Sequence, residues 1–64
     1  SGVGSSDILG VFKGRFIAIE VKRPRNSKIT EDQKKFIAEI NLCGGLAFVA
    51  KSIDDVKEQF KINF

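Results

Sequence analysis

Asp7, Glu20 and Lys22 are the residues whose types and spacing could do chemistry. Lys13-Gly14 between them reads as a tight turn. In an antiparallel hairpin closed there, positions summing to about 27 face each other, which sets Asp7 across from Glu20. Two adjacent carboxylates repel unless a cation sits between them. Lys22 projects to the same strand face as Glu20, roughly 6–7 Å further along. Such a group would form a hard oxygen site for Mg²⁺ or Mn²⁺ with an ammonium beside it, able to activate a water and stabilise charge on a phosphoryl oxygen. The same residues also fit a cross-strand salt bridge at a sheet end, with Asp7 merely starting its strand. The spacing alone leaves both readings open.

Composition narrows the chemistry. The chain has 64 residues, no His and one Cys. A Cys/His zinc site, an intrachain disulfide and His-dependent nucleophilic catalysis are therefore excluded. Any metal must sit on oxygen ligands. At 42% hydrophobic and 30% charged the composition is globular. It is expected to form one domain over 1–64, of marginal stability because a chain this short buries only about 60% of its unfolded surface. No apolar run approaches the roughly 18 residues of a membrane span, the longest being Leu46 to Ala50. With no visible signal peptide, a soluble, reducing, intracellular setting is expected, cytoplasmic or nucleoid-associated.

The elements that must position these residues follow from pattern. Asp7 to Phe12 is a short apolar segment and Arg15 to Lys22 a strand rich in Ile, Phe and Val. On the second strand Ile17, Ile19 and Val21 share an aliphatic face, and Phe16, Ala18, Glu20 and Lys22 share the other. Pro24 ends the strand. Thr30 and Gln33 form a T-x-x-Q capping box opening a helix, with Glu31 and Asp32 in its first turn. Phe36, Ile37, Ile40 and Cys43 form its apolar face, which makes Cys43 a buried residue, and Gly44-Gly45 stops it. Leu46 to Ala50 reads as a strand buried on both faces. Ser52 with Asp55 opens a second helix whose apolar face is Ile53, Val56 and Phe60. The expected order is β-β-α-β-α, an α/β fold with a mixed sheet, because the helical connection makes the second and third strands parallel.

The net charge of +3 is uneven. Residues 22–35 hold six basic groups, Lys22, Arg23, Arg25, Lys28, Lys34 and Lys35, against Glu31 and Asp32. The remaining residues hold five basic and six acidic groups. One basic stretch is the footprint of a polyanion partner, or else a solvated loop and helix face. No Phe interleaves with it, so a single-strand stacking platform is not expected.

Taken in order, Gly4-Ser5-Ser6-Asp7, then Gly14 to Pro24 with its Glu20-Val21-Lys22, then Thr30 to Ile37, then Cys43 to Val49, resemble the VRR-NUC domain of the PD-(D/E)XK nuclease superfamily, including its stand-alone phage and bacterial members. The resemblance spans about residues 2–60. It implies a small three-layer-like α/β core and metal-dependent hydrolysis of phosphodiester bonds in branched DNA, of Holliday-junction or flap type. It further implies metal ligation by Asp7, Glu20 and the Val21 carbonyl, and a catalytic role for Lys22. Gln33, also counted among the catalytic residues, would face the site and help hold the metal-water or phosphate geometry beside its capping role, while Arg23, Arg25, Lys28, Lys34 and Lys35 would contact phosphates. The family's usual Pro before the Asp is replaced by Ser6. The family helix that precedes this segment is expected to be missing, which would expose apolar surface and favour a homodimer. Two other expectations compete: a structure-binding DNA module on a nuclease fold, inactive in this truncated form, and a small α/β interaction domain.

Overall fold

The computed structural model describes residues 8–22 and 28–64. Asp7, Arg23 and Arg25 lie outside the described residues. The elements are β1 (Ile8–Phe12), β2 (Arg15–Val21), α1 (Glu31–Leu42), β3 (Leu46–Ala50) and α2 (Ile53–Asn63). This is the expected β-β-α-β-α order. The sheet order is β1-β2-β3, antiparallel between β1 and β2 and parallel between β2 and β3.

The hairpin closes on Lys13 and Gly14, both at positive φ, the two-residue turn whose twist matches the strands it joins. Its register runs from Phe12↔Arg15 to Ile8↔Ile19, every pair summing to 27 as expected. The parallel ladder runs from Ile17↔Leu46 to Val21↔Ala50. Lys22 N–H extends it by donating to the Ala50 carbonyl at 3.0 Å.

The two sheet faces are covered differently. Ile17, Ile19, Leu46, Phe48 and Ala50 are buried on one face, with Val21, Val56 and Phe60 packed against them. Phe12, Phe48, Phe60 and Phe64 make ring contacts there, with centroids 5.0–6.4 Å apart. Four of the six Phe residues are thus engaged with one another and with α2. Ile53, placed by periodicity on the same helix face, is instead exposed: as the first residue of α2 it only edges an open pocket shared with Ile8, Ile19, Val21 and Val56.

α1 covers the face carrying Ala18, Glu20 and Ala47. The capping box is formed as expected: Gln33 N–H donates to Thr30 Oγ1 at 3.1 Å and Thr30 N–H donates to Gln33 Oε1 at 2.8 Å. At its far end, Gly44 N–H donates to the Asn41 carbonyl and Gly45 N–H to the Ile40 carbonyl, a Schellman stop with Gly44 at φ 95°. Gly45 is required for a different reason. A Cβ there would sit 2.8 Å from the Phe16 carbonyl and from Ile40 Cγ2. Cys43 corrects the periodicity reading. It caps the helix beyond Leu42 and is exposed, at the edge of an open pocket lined by Phe16, Phe36 and Ile40. Asn41 performs a role its sequence context does not announce. Its carboxamide both donates to and accepts from the Ala47 backbone, at 3.0 and 2.9 Å, taking the place of a fourth strand at that point of the β3 edge.

Candidate active site

The residues around Glu20 come from three elements. β2 supplies Glu20 one residue before its end and Lys22 immediately after it. β3 runs parallel alongside, placing Val49 opposite Glu20. α1 begins across the same sheet face and contributes Gln33 from its first turn. The site therefore lies at the carboxyl end of two parallel strands, the place where open α/β sheets bind ligands.

Glu20 is 6% exposed and is the buried charged residue among the described residues. Burying a carboxylate is expensive unless it is hydrogen-bonded or coordinated. Gln33 meets part of that need: its Nε2 donates to Glu20 Oε2 at 2.9 Å. The alternation of β2 turns Glu20 toward α1, and the T-x-x-Q box sets the rotation of the first helical turn, so the pairing follows from local rules on both elements. Lys22 is half-buried and Val21, between them, is also half-buried.

The basic residues divide. Lys28 and Lys35 are exposed, and Lys34, also exposed, pairs with Glu31 at 3.3 Å. An exposed pair of this kind contributes little and exchanges readily for another anion. Arg23 and Arg25 lie outside the described residues, as does Asp7. Among the described residues no group of three or more Cys, Asp and Glu side chains gathers as a metal site. The Glu20 carboxylate and the Val21 carbonyl at this end are hard oxygens, the type that could hold a divalent cation.

Sequence reasoning missed two features. One is the direct bond from Gln33 Nε2 to Glu20: the family resemblance implies that Gln33 faces the site beside its capping role, and the signal for the bond was that the cap uses only one end of the amide. The other is Arg15, an apparently ordinary strand charge. Its Nε donates to the Gly44 carbonyl at 3.0 Å, Nη2 to Gly45 at 2.9 Å and Nη1 to Asn63 at 3.4 Å, with the guanidinium 5.2 Å from the Phe64 ring centre. An open apolar pocket of about 380 Å³ lies beside it, lined by Phe16, Phe36 and Ile40 among others. No helix among the described residues is long and apolar enough to cross a membrane.

The family model of the VRR-NUC domain matches residues 1–54. No curated protein and no solved structure matches the chain.

Proposed function

Because the chain belongs to the VRR-NUC domain family, whose function is nuclease-type DNA processing, we propose that it is a metal-dependent endonuclease acting on branched DNA. The observation that carries this reading is the buried Glu20 held by Gln33 at the carboxyl end of β2, two positions before Lys22. A buried acid anchored by a neutral amide, with an ammonium next along the strand, suits hydrolysis of a phosphodiester.

In this reading Glu20, the Val21 carbonyl and Asp7 hold Mg²⁺ or Mn²⁺. The described hairpin pairs all sum to 27, and the same register carried one step further is the ground for assigning Asp7 a place opposite Glu20. A divalent cation bound there supplies Lewis acidity, lowering the pKa of a water and offsetting charge on the phosphoryl oxygens. Lys22 orients the attacking water or donates to a phosphoryl oxygen as charge builds on it. The water oxygen bonds to phosphorus and gives up a proton to solvent, the opposite P–O ester bond breaks, and the departing oxygen takes a proton from solvent. Gln33 keeps Glu20 in one orientation. Arg23, Arg25, Lys28, Lys34 and Lys35 contact phosphates without reading bases. A homodimer would present two such sites to two strands. Its support is the apolar surface left exposed at Leu9, Val11 and Phe16.

The test is cleavage of end-labelled four-way junction, flap and linear duplex with Mg²⁺, with Mn²⁺ and with chelator, using the wild-type chain and Glu20→Ala. Metal-dependent nicking of the branched substrates, reduced at least about 100-fold in Glu20→Ala while DNA binding persists, is expected. Cleavage that survives Glu20→Ala would remove Glu20 from the reaction. Folded wild-type protein that binds branched DNA but does not cut it would favour the DNA-binding module, whose exposed lysines need no metal.

A further inference from the structure

The cap of α1 and the buried carboxylate share one side chain. Gln33 Oε1 accepts from Thr30 N–H at 2.8 Å, and Gln33 Nε2 donates to Glu20 Oε2 at 2.9 Å. Gln33 N–H in turn donates to Thr30 Oγ1 at 3.1 Å. These demands agree on one orientation of the amide. A backbone N–H can only donate, so it requires the oxygen end. An ionised carboxylate can only accept, so it requires the nitrogen end. Reversing the amide would break both contacts together.

We propose that Thr30 is a positioning residue for Glu20, acting through Gln33. Its N–H selects which end of the amide faces the sheet, and its hydroxyl holds the first turn of α1 at the rotation that delivers Gln33 to Glu20. The helix start and the candidate metal ligand are thereby coupled: what loosens one loosens the other. The coupling is a property of the metal-free protein. Its consequence for metal affinity rests on the function proposed above.

Ser52 provides the control. It caps α2 in a similar way, its Oγ accepting from Asp55 N–H at 3.4 Å, but α2 packs on the other sheet face from Glu20. Gln33 belongs to the Thr30 box, so losing the hydroxyl loosens its amide even in a merely structural role; that role predicts that Glu20 is left in place by Thr30→Ala as by Ser52→Ala. Positioning predicts that they separate at Glu20. The first readout is the Glu20 side-chain carboxylate resonance of the metal-free chain. In Thr30→Ala it is expected to move toward the position it takes in Gln33→Ala, while the Gln33 amide exchanges with water about fivefold faster, the factor equivalent to a lost cap of ordinary strength. Thr30→Ser should restore the wild-type Glu20 signal, and Ser52→Ala should leave it in place despite a similar fall in Tm. Thr30→Gly, a replacement that N-caps tolerate, repeats the measurement if Thr30→Ala does not fold. A Glu20 signal unmoved in these hydroxyl-deleted variants, or moved equally by Ser52→Ala, overturns the proposal.

The second readout is Mn²⁺ binding by calorimetry, without DNA. Thr30→Ala should weaken it about fivefold while Thr30→Ser and Ser52→Ala do not. Equal affinity in wild type and Thr30→Ala overturns the coupling but leaves the nuclease reading intact. No Mn²⁺ uptake by wild type, with the resonance changes as expected, overturns the metal-ligand reading and supports the positioning of Glu20 by Thr30.

Discussion

The two ends of β2 use charge in opposite ways. At the start, Arg15 spends its guanidinium on the carbonyls of Gly44, Gly45 and Asn63 and on the face of Phe64. These partners are backbone and ring, so the arrangement ties the stop of α1 and the end of α2 to the hairpin. At the other end, about 17 Å away by strand rise, Glu20 faces a side-chain amide from α1, with Lys22 next along the strand. A charge satisfied by main chain carbonyls is a structural clasp. A buried charge held by a side chain at the open end of parallel strands is placed for a ligand. In the function proposed above, this second end carries the chemistry, with Glu20 as the fixed carboxylate and Lys22 as the cationic group beside it.

The comparison is broken most directly by exchanging the damage. Lys22→Ala should lower the cleavage rate about 100- to 1,000-fold while changing DNA affinity little, measured by single-turnover cleavage beside equilibrium binding. A loss confined to binding would move Lys22 among the phosphate contacts. Arg15→Ala should do the reverse. Removing its donors and ring contact should lower unfolding free energy by about 2–4 kcal/mol in urea titration. Cleavage by the fraction that remains folded should stay close to wild type. A specific loss of rate in folded Arg15→Ala would mean that the two ends are not independent.

Gly45→Ala probes the clasp more gently. The new methyl meets the Phe16 carbonyl, which cannot step aside without moving β2, so a loss of about 1–3 kcal/mol is expected. An unchanged urea midpoint would show that the strand end yields easily. The smallest effect should come from neutralising Lys34 and Lys35 together. The salt slope of duplex DNA binding should fall by roughly one to two units, with little change in stability. An unaltered slope would place that face of α1 away from DNA.

Much of the fold was legible because it is written in local rules. Alternation in β2, the Lys13-Gly14 turn, the T-x-x-Q box and the Gly44-Gly45 stop each constrain their own few residues. Their order then forces a parallel pairing of β2 with β3. The register was legible for the same reason: a two-residue turn leaves one way to pair the strands it closes. Where pattern reading failed, a helix end was the cause. Periodicity assigns Cys43 and Ile53 to apolar faces, but Cys43 is the cap beyond α1 and Ile53 the first residue of α2, and each stays exposed at the edge of an open pocket.

By itself, the amino-acid sequence determined the element order, the hairpin register, the face of β2 on which Glu20 and Lys22 stand, and the family. Those depend on spacing along the chain. Only the tertiary structure decided that Glu20 is buried, that Gln33 reaches it while still capping α1, and that Arg15 binds carbonyls 29, 30 and 48 residues away. Such contacts depend on how far a helix slides and rotates over a sheet. That position is set by the summed packing of many side chains, and no local pattern carries it.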